Sequence, residues 1–430
     1  MSNILRIGIA GLGTVGTGVI KILEENAEVI TARTGCNISI TAVSAQNRDK
    51  DRGVDLSDYA WIDNPCDMAT SDSVDVVVEL IGGSDGVALD VVGSALKNKK
   101  HVVTANKALV AHHGYDLARI AESHNVSLLY EAAVAGGIPI IKAMKEGLAA
   151  NNFTAVYGIL NGTCNYILTQ MRETGRDFAD VLKDAQELGY AEADPSFDVG
   201  GIDAAHKLCI LTALAFGVKP DFDALEVQGI DHLNATDIAF ATDFGYRIKL
   251  LGVARKIDGK IMQVVEPCLV PIESALGKVE DVYNAVYVEG DFVQDPLFTG
   301  RGAGEGPTAS SVVADIIDIS RGISVPTFGV PVGELKDAQW VDMGATENRY
   351  YLRLNVIDKP GVIADVSAIL RDHCISIEGM IQHGRDPGQA VPIVITTHET
   401  RHKDMLDAVQ KIEKLENCVE KPCLMAIEEL

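Results

Sequence analysis

Apolar residues in the first third of the chain come in short, nearly continuous runs, and longer stretches with helical spacing separate them. Strands that are apolar on both faces and alternate with helices are typical of a parallel sheet covered by helices on both sides. The pattern therefore predicts an α/β domain of repeated strand–helix–strand units. The predicted strands lie at 4–10, 38–45, 74–83, 101–107 and 126–134, and the predicted helices include 84–97 and 106–123.

The rhythm changes at about residue 153, where strands and helices no longer alternate regularly. Asp258-Gly259 separates two apolar runs and predicts a tight hairpin turn. Pro307 lies near the start of a helical pattern, where proline is tolerated. We expect an α+β arrangement with strands at 153–160, 250–257 and 261–270, and with helices at 177–188, 203–216 and 305–325.

The C-terminal residues 348–430 show the order strand, helix, strand, strand, helix, strand. This βαββαβ order is typical of the ferredoxin-like fold. The predicted elements lie at 350–358, 359–373, 375–384, 391–399, 404–416 and 423–430.

Composition narrows the classes of function. The 430 residues include 61 acidic and 37 basic side chains, a formal net charge of −24, which argues against nucleic acid and anionic membrane as partners. No apolar run reaches the roughly 18 residues of a membrane-spanning helix, and no secretory signal precedes the first strand. Eight scattered cysteines without a CxxC pair indicate reduced thiols. We therefore expect a cytoplasmic protein.

The sequence GLGTVG at 11–16 follows a predicted strand and opens a predicted helix. This context turns a common glycine pattern into a dinucleotide-binding fingerprint. Gly11 permits the tight turn, Gly13 lets backbone amides approach a pyrophosphate, and Gly16 lets the helix and strand pack closely. The loop therefore predicts a Rossmann-type cofactor site.

The end of the second strand carries information about the nucleotide. An NAD-selective site normally places an acid there, to bind the ribose 2′-hydroxyl, but residues 43–45 are Val, Ser and Ala. Arg48 and Lys50 follow closely and suit a 2′-phosphate. We favour NADP(H), with NAD(H) as the alternative, and interpret Arg52 as part of a solvated charged loop.

Four carboxylates shortly precede Lys207, which begins a predominantly apolar helix. Asp203 and Lys207 are four residues apart and share one helix face; as an exposed pair they would stabilise the helix only slightly. If the helix is buried, Asp198 and Asp203 hold the ammonium in place, and Glu192 and Asp194 can bind a cationic substrate group. The spacing alone leaves both interpretations open.

The run from Ala185 to Lys207, A-x3-G…D-P-x2-D-V-x-G-x-D-x3-K, resembles the signature of homoserine dehydrogenases. The C-terminal unit, with DKPGVIADVSAIL followed by ISIEGM, resembles an ACT domain. Further similar motifs are GLGTVG, VVTANK at 102–107, EAAVAGGIP at 131–139, NGTCNY at 161–166 and GRGAGEGPTASS at 300–311.

The resemblance implies reversible hydride transfer between NAD(P)H and L-aspartate 4-semialdehyde, giving L-homoserine for threonine and methionine biosynthesis. It implies that Lys207 exchanges a proton with the substrate oxygen and that Lys107 shares this work. Asp203 would position Lys207 and, with Asp198, the substrate, whereas Glu192 would bind the substrate amino group. An alkoxide left by hydride transfer needs such a proton donor.

The resemblance also implies a cofactor site and a cation site. Oxygen-only ligation by Glu131 and the carbonyls of Val134, Gly136 and Ile138 would suit a monovalent cation, Na⁺ or K⁺. The expected cofactor contacts are Gly11, Leu12, Gly13, Thr14, Val15, Gly16, Arg48, Lys50, Gly82, Thr104, Lys107 and Gly304.

Three domains are predicted. Because ACT domains often bind amino acids between paired copies, the resemblance suggests feedback control by an end product such as threonine. The sheet edges of the middle domain and of the ACT unit suggest a homo-oligomer, either a homodimer or a homotetramer. The boundaries are 1–133 for the Rossmann-type domain (completed by the helix at 305–325), 134–304 for an α+β substrate-binding and dimerisation domain, 326–347 for a linker, and 348–430 for the ACT domain.

Two other functions compete with this one. Cys164 lies near a predicted helix start, where a thiolate is stabilised, and could serve an acylating semialdehyde dehydrogenase. The carboxylates before Lys207 would then have no role. A non-enzymatic, nucleotide-sensing regulatory protein is the second alternative, and it too leaves those carboxylates unexplained.

Overall fold

A computed structural model of the protein describes residues 3–383 and 388–430. The chain forms two compact units. The first unit comprises Met1–Leu160, Asp203–Leu225 and Asn284–Ala338, and the second comprises Asn161–Ile202, Glu226–Tyr283 and Gln339–Leu430. Residue 384, the predicted end of a strand, lies outside the described residues.

The strands are β1 Asn3–Ala10, β2 Cys36–Ser44, β3 Ala60–Trp61, β4 Val76–Glu79, β5 His101–Thr104, β6 Leu128–Leu129, β7 Phe153–Ile159, β8 Glu226–Val227, β9 Tyr246–Ile257, β10 Lys260–Pro271, β11 Tyr283–Gly290, β12 Leu297–Arg301, β13 Glu347–Ile357, β14 Ile377–Gln382, β15 Ala390–Thr397, β16 Thr400–Arg401 and β17 Cys423–Ile427. The helices are α1 Thr14–Glu25, α2 Ala27–Thr34, α3 Val87–Lys97, α4 Lys107–His124, α5 Ile140–Lys142, α6 Gly162–Thr174, α7 Phe178–Glu187, α8 Ser196–Val199, α9 Ile202–Phe216, α10 Ala235–Asp243, α11 Glu305–Ser320, α12 Val362–Asp372 and α13 His402–Ile412.

A parallel six-stranded sheet forms the centre of the first unit, in the order β3-β2-β1-β4-β5-β6. One face packs against α1 and α11 through Val19, Ile20 and Ile316. The other face packs against α3 and α4 through Val92 and Leu109. Both faces are buried, as the apolar runs predict. The strand order reverses between β1 and β4, which is where open α/β sheets bind ligands.

Several elements of the first unit end earlier than their apolar runs. The strand predicted over 101–107 stops at Thr104, because the Asn106 side chain accepts a hydrogen bond from the Leu109 N–H at 3.0 Å and starts α4. The helix predicted over 305–325 ends at Ser320, so this prediction was wrong at its C-terminal end. Gly322 has φ +72°, and the Ile323 N–H bonds the Asp318 carbonyl at 3.0 Å, which closes the helix in a Schellman turn.

The second unit contains the predicted hairpin and the ferredoxin-like motif. Asp258 (φ +49°) and Gly259 (φ +81°) connect β9 to β10, as positive φ at both central turn residues requires. The sheet order β17-β13-β15-β14 joins the elements of the predicted βαββαβ unit. The short β16 was not predicted.

This sheet does not end at the ferredoxin-like motif. Strand β17 also pairs in parallel with β10, with Cys268 opposite Ala426. Under it, the Arg353 guanidinium on β13 lies 2.6 Å from the Asp237 carboxylate on α10, and both side chains are buried. The C-terminal motif and the hairpin are therefore one continuous structure within this unit.

Candidate functional site

The glycine turn between β1 and α1 has the geometry that its sequence predicts. A Cβ on Gly11 would lie 2.4 Å from the Leu80 carbonyl oxygen, and one on Gly16 would lie 2.1 Å from the Gly11 carbonyl oxygen. Both positions therefore require glycine. Gly13 faces open space, which leaves its backbone accessible to a ligand. Thr14, Val15 and Gly16 form the first turn of α1, where unpaired N–H groups favour anions.

A cleft of about 490 Å³ opens above this turn. Its lining includes Gly11, Leu12 and Gly13 from the turn and Lys50 from the loop after β2. Arg48, another predicted cofactor contact, does not line the cleft; its guanidinium carbon lies 5.7 Å from the Trp61 ring centre. The structure thus brings together the glycine turn and one of the two predicted basic residues.

Arg52, which we interpreted as solvated, lines the same cleft. Its Nε donates to the Leu12 carbonyl at 3.2 Å, and its other nitrogens donate to the carbonyls of Asn47 and Lys50. The side chain therefore fastens the loop after β2 to the glycine turn. Only its position after β2 hinted at this, because the backbone partners of an arginine have no sequence pattern.

Glu79 is a second residue that the sequence analysis missed. It ends β4 and is fully buried. Its carboxylate accepts hydrogen bonds from the Ile81 N–H at 2.7 Å, the Gly82 N–H at 3.3 Å and the Thr104 hydroxyl at 2.6 Å. Gly82 and Thr104 were predicted cofactor contacts, and Glu79 fixes the positions of both. An acid at the end of the apolar run VVVEL was the available signal.

The carboxylate of Asp203 joins the two predicted catalytic lysines. Its Oδ1 lies 2.7 Å from the Lys107 ammonium and its Oδ2 lies 2.7 Å from the Lys207 ammonium. Lys107 begins α4, directly after β5, and Asp203 and Lys207 share one face of α9. Asp203 and Lys207 therefore form a buried ion pair, and the interpretation as an exposed pair on the helix surface is wrong.

Burial separates the two lysines. The Lys207 side chain is 9% exposed and also donates to the Leu160 carbonyl at 2.7 Å, whereas the Lys107 side chain is 33% exposed. Burial alone would raise the pKa of the Asp203 carboxyl, but the two ammonium groups outweigh it and hold that pKa well below its ordinary value. Asp203 is therefore a fixed anion at neutral pH.

The other three acids before Lys207, which are Glu192, Asp194 and Asp198, lie in the second unit and have different surroundings. Asp198 in α8 accepts a hydrogen bond from the Asn161 amide at 2.8 Å. Asp194 accepts one from the Ser196 N–H at 3.1 Å and so stabilises a local turn. The Glu192 side chain is exposed. The predicted substrate contacts Glu192 and Asp198 thus lie in one unit and Asp203 in the other.

Cys164 is fully buried. Its backbone N–H donates to the Asn161 side chain at 2.8 Å, which caps α6, and its thiol donates to the Asp198 carbonyl at 3.3 Å. A thiol enclosed in this way does not present itself to an aldehyde. The geometry does not favour the acylating mechanism.

The expected cation ligands lie between β6 and α5. Both oxygens of the buried Glu131 carboxylate accept backbone hydrogen bonds, from Ile141 and Lys142, and Ser311 donates to the Gly136 carbonyl. Burial, with Asp315 nearby, raises the pKa of Glu131 to about 7. Oxygens with one hydrogen bond retain a lone pair, so this oxygen-only set fits a hard cation.

Within residues 3–383 and 388–430, no helix combines the length and hydrophobicity that crossing a bilayer requires. The same described residues hold no group of three or more His, Cys, Asp or Glu side chains that could bind a metal ion.

Gly304, the remaining predicted cofactor contact, precedes α11 with φ +120°.

Comparison with known proteins decides among the candidate functions. Residues 139–317 match the family model described as homoserine dehydrogenase, and residues 11–131 match that of the homoserine dehydrogenase NAD-binding domain. Residues 350–417 match the ACT domain model. The chain belongs to the homoserine dehydrogenase family. The predicted family, the predicted fold class and the oxidoreductase activity that interconverts L-aspartate 4-semialdehyde and L-homoserine are thereby confirmed, and neither alternative function is favoured.

Homoserine dehydrogenases from several organisms are similar over nearly the full length. The enzyme of Neisseria gonorrhoeae is 46% identical, and the alignment covers 98% of each chain. The enzyme of Pseudomonas aeruginosa is 45% identical, and the alignment covers 96% of each chain. The crystal structure of a homoserine dehydrogenase from Thiobacillus denitrificans is 43% identical, with a TM-score of 0.94 and complete coverage of both chains. A hyperthermophilic archaeal homoserine dehydrogenase in complex with NADPH is 26% identical, with a TM-score of 0.62, and covers 73% of this chain and 97% of that one.

Proposed function

We propose that Lys207 exchanges the proton with the substrate oxygen, and that Asp203 and Lys107 maintain the electrostatic setting for this step. The supporting observation is one buried carboxylate that lies 2.7 Å from both ammonium groups. The bound nicotinamide supplies or accepts the hydride. Lys207 donates a proton to the oxygen of the aldehyde as it is reduced, and it takes that proton back when homoserine is oxidised. Asp203 keeps the ammonium aimed.

Substitution of each lysine by methionine tests this assignment, with homoserine and NADP⁺ as substrates. Lys207→Met should lower kcat by about 10²–10⁴-fold, the usual contribution of a positioned acid–base group, and Lys107→Met should lower it less. Lys100 provides a matched control, because its ammonium also bonds backbone carbonyls, those of Ser71 and Val74. Lys100→Met should keep its kcat. Near-normal turnover of Lys207→Met would remove Lys207 from the mechanism.

Glu192 remains the proposed contact of the substrate amino group, and Asp198, with Asp203, remains a proposed positioning residue for the substrate. A carboxylate is the natural partner of an α-ammonium group. Glu192→Gln should raise the KM for homoserine at least tenfold, because it removes the charge and keeps the shape. The exposed Glu187, which ends α7, is the control: Glu187→Gln should leave KM unchanged. Equal KM values for the two variants would contradict the assignment.

We propose a preference for NADP(H) over NAD(H). Lys50 and Arg52 line the cofactor cleft, and β2 ends at Ser44 without an acid. The NADPH complex of the archaeal relative is in line with this preference. Lys50→Ala should raise the KM for NADP⁺ more than tenfold and the KM for NAD⁺ less than twofold, because only NADP⁺ carries the 2′-phosphate. A parallel change in both values would contradict the proposal.

A monovalent cation is proposed at Glu131 and the carbonyls of Val134, Gly136 and Ile138. It would neutralise a buried carboxylate and tie the chain between β6 and α5. Thermal unfolding measured in KCl, NaCl and tetramethylammonium chloride at equal ionic strength gives a readout independent of catalysis. K⁺ or Na⁺ should raise the Tm of the protein and not that of Glu131→Gln. Identical Tm values in the three salts would exclude a specific site.

We propose that an amino acid effector, with threonine the first candidate, binds the second unit. A cavity of about 790 Å³ lies there, and its lining includes Glu226, Glu266, Tyr350 and His402. Burial, with Glu428 and Glu226 nearby, raises the pKa of Glu266 to about 7, although the positive charge of Arg255 opposes this shift. An effector ammonium would compensate this carboxylate. Glu266→Gln should abolish threonine inhibition, whereas Glu273→Gln, in an exposed ion pair, should keep it.

A homodimer or homotetramer is the proposed assembly. Light scattering coupled to size exclusion gives its mass directly, against 45.9 kDa for one chain. A mass of one chain across the micromolar range would contradict the proposal.

A further inference from the structure

The Leu160 carbonyl, at the end of β7, accepts two hydrogen bonds from buried side chains of the first unit. The Lys207 ammonium donates to it at 2.7 Å, and the Asn284 amide nitrogen donates to it at 2.9 Å. Asn284 lies on β11, which pairs with β7 in the register Ala285 opposite Ile159. The strand pair thus places Asn284 beside the acceptor that orients Lys207.

The surroundings of Asn284 are built around its amide. The residue is 1% exposed, and a Cβ on Gly302 would lie 2.1 Å from its amide carbon. Only a glycine at 302 leaves room for this side chain. The Asn284 amide therefore packs directly against the backbone of Gly302, in the glycine-rich loop that precedes α11.

Packing alone does not explain this asparagine. Its Oδ1 is buried and has no hydrogen-bond partner within the described residues. A buried acceptor without a partner costs about 1–3 kcal/mol, so an apolar side chain would serve stability better. The reverse orientation of the amide would turn its oxygen toward the Leu160 carbonyl, which offers no proton. The nitrogen therefore faces Leu160, and the bond to that carbonyl is what the asparagine provides.

We propose that Asn284 is a positioning residue for Lys207 and acts through the Leu160 carbonyl. A carbonyl that a rigid amide holds in one orientation gives the ammonium a fixed second acceptor, and Asp203 gives it the first. Together they determine where the ammonium can meet the substrate oxygen. This inference rests on the proposed proton-transfer role of Lys207.

The pH profile of kcat for homoserine oxidation tests the proposal with Asn284→Asp and Asn284→Ala. The aspartate has the same shape, cannot donate to Leu160 when ionised and adds negative charge near Lys207. It should lower kcat at least tenfold. It should also shift the ascending limb of the pH profile by about 0.5 pH unit or more toward higher pH, because a nearby negative charge favours the protonated amine of Lys207. The alanine should lower kcat about tenfold, with KM values within about threefold of the wild-type values.

Asn151 supplies the matched control, because its amide donates to the Leu148 carbonyl at the same 2.9 Å. Asn151→Ala should lower Tm and keep both kcat per folded enzyme and the pH profile. If the Asn284 variants behave like Asn151→Ala, Asn284 has a structural role only and the proposal is wrong. If Asn284→Asp does not fold, the alanine variant decides. A lower kcat with a nearly unchanged KM would support the proposal, and an unchanged kcat per folded enzyme would contradict it. Normal turnover of Lys207→Met would instead refute the role of Lys207 itself.

Discussion

The position of each charged side chain at the site depends on the groups that bond to it. Among the four acids before Lys207, Asp203 contacts both Lys107 and Lys207, because it lies on a buried helix face close to the start of α4. The spacing of Asp203 and Lys207 predicts a shared helix face, but it does not predict that the pair is buried. Arg52 was missed because its hydrogen-bond partners are backbone carbonyls, and Glu79 because two of its three partners are backbone N–H groups.

Replacing Asp203 should affect the protein more than replacing either lysine. Asp203→Asn leaves two adjacent ammonium groups without their shared anion, so kcat should fall at least 100-fold and unfolding should become easier by about 3 kcal/mol. The pKa of Asp203 is depressed in the folded state. Its contribution to stability is therefore complete above the unfolded pKa of about 3.9 and is lost only in stronger acid. Urea unfolding at pH 7 and pH 4.5 should show the same deficit in the variant.

Glu266 should have the opposite pH dependence. Its folded pKa, about 7, lies above the unfolded value of about 4.3. The folded state therefore binds the extra proton between these values, and stability falls as the pH rises through this window. In effector-free protein, Glu266→Gln should remove about 1–3 kcal/mol of that fall between pH 5 and pH 8. Parallel stability curves for the two proteins would show that Glu266 does not titrate there.

Elements follow the sequence closely wherever local signals fix them. The glycine turn and the Asp258-Gly259 hairpin form as predicted. Boundaries shift where a cap competes with an apolar run, as at Thr104 and Ser320. The parallel pairing of β17 with β10 was beyond prediction, because it joins Cys268 to Ala426, which are far apart in sequence and share no turn.

The contact between α10 and β13 should carry a large part of the stability of the second unit. Removing one partner of a buried ion pair costs about 3–5 kcal/mol, so Arg353→Leu should destabilise the protein by about that much in urea unfolding. The double variant Asp237→Asn with Arg353→Leu should recover part of the loss, because no charge stays buried alone. The exposed pair of Lys278 and Glu273 is the control, and Lys278→Ala should cost under about 0.5 kcal/mol.

At the scale of the whole molecule, we expect the ACT domain and the β9–β10 hairpin to stabilise each other. Strand β17 covers the edge of β10, and Arg353 compensates the buried Asp237. Ending the chain at residue 344 should expose that edge and lower Tm by several degrees. Differential scanning fluorimetry and light scattering would show this. A truncated chain with an unchanged Tm and an unchanged number of subunits would mean that the two parts are independent.

The central claim concerns the proton, and a single-turnover measurement isolates it. Lys207→Met should bind NADPH within about threefold of the wild-type Kd, because the residue takes no part in the glycine turn. Rapid mixing of the enzyme–NADPH complex with L-aspartate 4-semialdehyde should then show a first turnover slowed at least 100-fold. A first turnover at the wild-type rate would contradict the account.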